Sequence, residues 1–172
     1  MPAYYDIYGL SNQRDKETIE KFLIHFSNRE KIENVEEQEI AVYKNEKYKV
    51  DETWIPVNSL TQVIDFGLAK DNHGFAFYIG DHLKNGISHI ILKFTFDGKI
   101  IFGISIAENQ LSESGKLIDN YDKAVEVEKS ISVLTNATRT SIQFENPPSD
   151  DEEEFDREIG IWKKMKEDKR GK

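Results

Sequence analysis

The stretch that decides the fold is HIILKFTFDGKIIFGISIA, residues 89–107. Two runs rich in β-branched and aromatic residues flank an Asp-Gly pair at 97–98, which is typical of a β-hairpin because this pair tolerates positive φ. Counting outward from a two-residue turn pairs Phe94 with Ile101. Both faces of the hairpin are apolar near its middle, so we predict that it lies in a sheet covered on both sides.

The rest of the chain alternates between strand patterns and helix patterns. Aromatic and β-branched runs predict further strands at residues 4–10, 40–43, 48–50, 75–79 and 140–144. Apolar residues at helical spacing predict helices that begin after capping residues. The candidate caps are Ser11 or Asn12, Asn58 or Ser59, Asp119 or Asn120, and Ser149 in a capping box over residues 149–152.

This pattern predicts one α+β domain over residues 1–148, with a mainly antiparallel sheet of six to seven strands and three to four helices. The first half has the element order of a ferredoxin-like unit, which bears on architecture and not on function. We expect residues 30–39 to be a polar connection and residues 54–56 to interrupt the regular structure. Residues 149–172 form an amphipathic helix that packs on the same domain or, alternatively, docks on a partner through Phe155, Ile159 and Trp162.

Composition narrows the function classes. The chain has 172 residues, 32 acidic and 23 basic side chains, a formal charge of −9 and no cysteine. Its acidity argues against a nucleic-acid partner, because phosphate would be repelled. The absence of cysteine excludes disulfides, thiolate nucleophiles and sulfur-ligated zinc, and it suits the cytoplasm. No secretory signal and no membrane span are expected from the sequence.

Motifs for chemistry are few. The sequence contains no phosphate-binding loop, dinucleotide fingerprint, zinc-peptidase helix, nucleophile elbow or calcium loop, so we predict no cofactor and no metal site. One weak catalytic candidate remains, because Asp81, His82 and His89 could converge across the loop of residues 80–86 as an acid–base group. The alternative is that Asp81 and His82 are turn residues and His89 is a sheet residue near solvent.

The distribution of charge favours a protein-binding function. Residues 149–172 contain nine acidic and seven basic side chains, so most of the excess negative charge belongs to residues 1–148. We therefore predict a non-catalytic, acidic interaction protein that binds a basic protein, similar in character to an immunity or antitoxin protein that blocks a nuclease toxin. The candidate contact residues are Glu33, Glu36, Glu37, Glu39, Asp51, Glu52 and Trp54.

Overall fold

The computed structural model describes residues 3–44 and 53–170, and its fold is α+β, as predicted. The strands are β1 (Tyr4–Ser11), β2 (Asn34–Lys44), β3 (Thr53–Ser59), β4 (His73–Ile79), β5 (Ile87–Phe94), β6 (Ile100–Ala107), β7 (Asn109–Leu111), β8 (Leu117–Asp119) and β9 (Arg139–Phe144). The helices are α1 (Lys16–Phe26), α2 (Arg29–Ile32), α3 (Leu60–Ala69), α4 (Tyr121–Thr135) and α5 (Glu152–Arg170).

Seven strands form one sheet in the order β3-β2-β4-β5-β6-β1-β9, and neighbouring strands in it pair antiparallel. Strands β7 and β8 form a separate hairpin. The predicted ferredoxin-like element order is present in the first half, with α2 added. The pairing is different from such a unit, because β1 is inserted between β6 and β9 and has no hydrogen bond to β2, β3 or β4.

The β5–β6 hairpin is confirmed, but its register differs by one residue from the prediction. The structure pairs Phe94 with Ile100, the residue before the predicted partner Ile101. The backbone N–H of Thr95 donates to the carbonyl of Lys99 at 3.0 Å, so the loop has three residues and ends at Gly98, whose φ is +84°. Three-residue loops of this kind place a left-handed residue last. The shift of one residue places Ile101 and Phe94 on opposite faces of the sheet.

Helices α1, α3 and α4 cover one face of the sheet and form the main core with it. Helix α3 approaches closely, since a Cβ at Gly67 would lie 2.4 Å from the Phe94 ring. Glycine at this position therefore permits the close contact between α3 and the sheet. Fully buried residues of this core include Ile7, Ile19, Phe22, Leu23, Leu60, Val63, Ile64, Phe75, Phe102, Ile104 and Ile131.

The second face of the sheet is covered in part by α5. Phe155 is fully buried there in a small cluster with Tyr8, Leu10, Ile91 and Ile101. The part of this face that α5 leaves uncovered is called the open face below.

Ion pairs fix the start of α5. The Nζ of Lys93, a buried residue of β5, lies 2.9 Å from a carboxylate oxygen of Asp150, and Arg139 pairs with Asp156 at 2.7 Å. Asp151 accepts the N–H of Glu154 at 2.8 Å, so the helix begins later than the capping box at residues 149–152 predicts.

Two segments were assigned wrongly from the sequence. Residues 30–39 contain most of α2 and the first part of β2, because glutamates on a strand can alternate with residues that face the core. Residues 54–56 belong to β3, where a proline is tolerated because β3 is an edge strand of the sheet. The predicted strand at residues 48–50 lies outside the described residues.

The first helix also begins later than predicted. Asp15 is its N-cap and accepts the N–H of Thr18 at 2.8 Å, whereas Ser11 lies in β1 and its hydroxyl donates to the carbonyl of Thr135. Ser59 and Asn120 are the N-caps of α3 and α4, as predicted. Within residues 3–44 and 53–170, no helix is long and apolar enough to span a membrane.

Candidate functional site

Strand β1 supplies the centre of the candidate site. Side chains alternate between the two faces of a strand, so Ile7 enters the main core while Tyr4, Asp6 and Tyr8 lie on the opposite side. A carboxylate at this position is unusual, because the side chains before and after it on the same face, Tyr4 and Tyr8, are aromatic. Asp6 is 9% exposed, so it is held largely away from water.

The sheet register aligns four polar residues in one row across adjacent strands. Ser105 on β6 lies opposite His89 on β5 and also opposite Asp6 on β1, and Asp6 in turn lies opposite Gln143 on β9. Ser105, Asp6 and Gln143 are all buried. A row of polar side chains inside an otherwise apolar sheet is a typical place for binding chemistry.

Three residues of this row, His89, Ser105 and Asp6, line a pocket on the open face with a volume of about 310 Å³. Tyr78 of β4 and Ile91 of β5 contribute to its wall, and so does the connection between β9 and α5. The full set of lining residues is Tyr4, Asp6, Tyr8, Tyr78, His89, Ile91, Ser105, Glu145, Asn146 and Pro147.

Asp6 is hydrogen-bonded to neutral groups. The Ser105 hydroxyl donates to one carboxylate oxygen, and the Asn146 backbone N–H donates to the other at 2.9 Å. Burial raises the pKa of Asp6, and these two hydrogen bonds together with the charge of His89 offset part of that effect. None of the described residues that line the pocket is Lys or Arg, so the ionised Asp6 carboxylate has no such cation beside it there.

Three tyrosines give the pocket aromatic walls. The hydroxyl of Tyr8, a buried residue, donates to the carbonyl of Asn146 at 2.5 Å, and burial is the main cause that raises its pKa. Tyr4 contacts the His89 ring edge to face, with 6.1 Å between the ring centroids. Tyr78 lies at the rim and is largely exposed.

Glu145 brings a second carboxylate to the pocket from a strained backbone. Its φ is +46°, in the left-handed region that side chains other than glycine and asparagine seldom adopt. Its backbone N–H donates to the carbonyl of Tyr4 at 3.2 Å, and this bond helps to hold the conformation. Such strain is often retained where it serves a site.

One of the three residues predicted as an acid–base group lines the pocket. His89 lines the pocket, whereas Asp81 and His82 are exposed on the loop of residues 80–86 and are not among the lining residues. That loop is fastened to the end of α1, since the carbonyl of His82 accepts the N–H of Asn28 at 2.9 Å. A role for the loop in binding stays a prediction.

Sequence reasoning missed Asp6 and Ser105 as partners. They are 99 positions apart, and no spacing motif links them. One local signal was available, because the predicted first strand carries Asp6 between Tyr4 and Tyr8 on one alternation. A charged residue at that place in a strand indicates either an exposed face or a site.

Glu33, one of the predicted protein-binding residues, has a structural partner. Its carboxylate accepts the backbone N–H of Thr61 at 3.0 and 3.1 Å and pairs with Arg29 at 3.1 Å. The carboxylate thus satisfies an N–H group in the first turn of α3. This contact explains the position of Glu33 without a partner protein.

Four of the other predicted contact residues lie in β2 and β3. Glu36 and Glu39 are exposed on β2, which also contains Glu37, and Trp54 on β3 is 56% exposed. Asp51 and Glu52 lie outside the described residues.

The register places two of these residues on the same side of the sheet as the pocket. Trp54 lies opposite Ala41, and Glu39 is two positions from Ala41 and so shares its face. Strand β2 pairs with β4 at Tyr43 and Gly74. Because Tyr43 shares the face of Ala41, and Tyr78 shares the face of Gly74, Tyr78 lies on the same side of the sheet.

Within the described ranges, no three His, Asp or Glu side chains converge in a way that could hold a metal ion. No protein-family model matches the chain, and no match is found among curated proteins or solved structures.

Proposed function

We propose that this chain is a non-catalytic binding protein that acts in the cytoplasm and captures a basic protein, in the manner of an immunity or antitoxin protein that blocks a nuclease toxin. The observation that supports it best is Asp6, a buried carboxylate at an accessible pocket that also contains Glu145 and is lined by no Lys or Arg among the described residues. The formal charge of −9 would speed association with a basic partner and disfavour acidic ones.

The surroundings of the pocket suit a protein partner. Trp54 and Tyr78 are exposed on the same side of the sheet, and Glu39 lies on that side too. Exposed Trp and Tyr side chains are common energetic hot spots of protein interfaces, while charges at the rim mainly guide the encounter. The proposed contact surface is therefore the open face, extended across β4 to β2 and β3.

The test compares protein capture by three forms of the chain at low and high salt. The face variant carries Asp6→Asn and Glu145→Gln, and the control carries Glu17→Gln and Glu113→Gln, two exposed sites on α1 and on the β7–β8 connection. Both variants change the formal charge equally, so a difference in protein capture between them depends on where the charge is removed.

We expect wild type and control to retain the same basic protein at low salt and to release it at high salt, and the face variant to lose it. The proposal is overturned if no salt-sensitive basic protein is retained, or if all three forms retain it equally.

A small-ligand site in the same pocket is the second candidate function. It is favoured by the hydrogen bond from Ser105 to Asp6 beside His89, since a carboxyl with a raised pKa next to an imidazole can bind and move protons. Of the predicted acid–base group, His89 lines this pocket and Asp81 and His82 do not.

Melting temperatures in a ligand screen separate the two locations. A ligand that stabilises wild type and His82→Ala but not His89→Ala identifies the open-face pocket. A ligand whose effect is lost only in His82→Ala identifies the loop instead, and the absence of any stabilising ligand counts against this second function.

A further inference from the structure

The size of the pocket limits its occupant. Its volume of about 310 Å³ is at the lower end of the range of about 300–1,000 Å³ for ligand sites. It therefore suits one small group or one side chain better than a nucleotide or an extended peptide. The floor is polar and the walls are aromatic, so the occupant should have a polar end and an apolar stem.

The hydrogen bonds of Asp6 leave acceptor capacity for such a polar end. Each carboxylate oxygen accepts one bond, from the Ser105 hydroxyl or the Asn146 amide, and a carboxylate can accept about four in total. Both donors are neutral, and together with the charge of His89 they offset only part of the effect of burial. Burying a charge is costly, and an entering cation would offset more of that cost.

The tyrosines favour the same kind of occupant. Tyr4, Tyr8 and Tyr78 line the pocket, and the face of a tyrosine ring attracts ammonium and guanidinium groups within about 6 Å. Glu145 adds a second negative charge at the opening. Aromatic walls also accommodate the methylene stem of a long basic side chain.

We infer that the Asp6 pocket receives one positively charged side chain, a lysine or an arginine, of the basic partner. The inference rests on the proposed function and names the group that the partner places in this site. The charged end lies against Asp6, and the stem lies between the tyrosines.

Binding should depend on pH, because the site must be negative to hold a cation. Asp6 has a raised pKa, so it takes up a proton at a higher pH than an exposed aspartate does, and affinity falls as the pH is lowered through that point. The titratable groups that face Asp6 or the pocket are Tyr4 and Tyr8 of β1, Tyr78 of β4, His89 of β5, Glu145 after β9 and Glu158 of α5.

The test uses single blocked amino acids as probes on the full chain. N-acetyl-lysine methylamide and N-acetyl-arginine methylamide are titrated, with the N-acetyl-norleucine methylamide as the neutral probe, and amide chemical shifts are followed. One side chain should bind in the millimolar range, which such titrations detect. The variants are Asp6→Asn and Glu145→Gln, with Glu113→Gln at an exposed residue of the β7–β8 connection as the matched control.

We expect at least one cationic probe to bind saturably to wild type and to Glu113→Gln, about tenfold or more weakly to Asp6→Asn, and the neutral probe not to bind. Glu145→Gln should weaken binding less and keeps the test valid if Asp6→Asn unfolds. Equal binding of the neutral probe, or no binding of either cationic probe to wild type, would overturn the inference.

The outcomes also distinguish this inference from the proposed function. If the cationic probes do not bind but the face variant still loses a basic protein, the open face binds without a side chain in the pocket. If the probes bind but no basic protein is retained, the pocket is a site for a free cation and the proposed function fails.

Discussion

The ring of Tyr8 occupies the space in front of Gly103, its partner on the neighbouring strand. A Cβ at Gly103 would lie 2.7 Å from Cε1 of Tyr8 and 3.0 Å from the Cβ of Ile91. The absence of a side chain on β6 lets the tyrosine lie close to the sheet, where its hydroxyl reaches the carbonyl of Asn146. One wall of the pocket thus depends on this glycine.

Replacing Gly103 by alanine should push Tyr8 outward. We expect Gly103→Ala to lower the free energy of unfolding by about 1–3 kcal/mol, as overpacking in a core does, and to weaken binding of the cationic probes. Urea denaturation and the probe titration measure the two effects. Gly160→Ala is the control, because a Cβ there meets nothing within 4 Å and should stabilise the exposed helix by up to about 1 kcal/mol. Unchanged stability of Gly103→Ala would contradict the packing described.

Ionised Asp6 should destabilise the folded state at neutral pH. Its pKa is raised by burial, so it favours the folded state while protonated, and this contribution is lost as the pH rises through the folded pKa. Asparagine cannot ionise. We therefore expect the free energy of unfolding of wild type, relative to Asp6→Asn, to fall as the pH is raised from acid to neutral. Denaturation at several pH values measures it, and a relative gain by wild type with rising pH would contradict the assignment.

Glu33 should behave in the opposite way. Burial acts to raise its pKa, but hydrogen bonds from Thr61 and the ion pair with Arg29 outweigh this and lower it. Its contribution to stability is therefore present at neutral pH and is lost as the pH falls through the folded pKa.

Glu33→Gln should lower the free energy of unfolding by about 1 kcal/mol at neutral pH, because the hydrogen bonds to Thr61 and the ion pair with Arg29 are weakened. The loss is no larger because the Glu33 side chain is partly exposed. Glu36→Gln, on an exposed residue of β2, should stay within about 0.5 kcal/mol of wild type. Chemical denaturation at pH 7 tests both, and equal stability of the two variants would remove the structural role of Glu33.

Helix α5 should be held mainly by Phe155. Phe155→Ala should lower the free energy of unfolding by about 3–5 kcal/mol, the usual cost for a buried phenylalanine. Ile161→Ala, at a residue that is 52% exposed, should change it by no more than about 0.5 kcal/mol. A chain that ends at residue 147 tests the same point by circular dichroism, because unchanged stability would show that α5 is free to dock elsewhere.

Local signals predicted local structure well. The Asp-Gly pair at 97–98 predicted the hairpin, and Ser59 predicted the start of α3. The register was missed because a three-residue loop and a two-residue turn share the same Asp-Gly signal, and only hydrogen bonds such as Thr95 to Lys99 distinguish them. The acidic stretch at residues 30–39 was misread because polarity alone does not separate an exposed strand from a loop.

The sequence by itself determined the α+β class, the central hairpin and the caps of α3 and α4, since these depend on residues within a few positions of one another. Only the tertiary structure decided that β1 lies between β6 and β9, and this placement brings Asp6 beside Ser105 and into one row with His89. The physical reason is that pairing between distant strands is fixed by burial of the whole sheet and not by local spacing. The candidate site exists only after that pairing has formed.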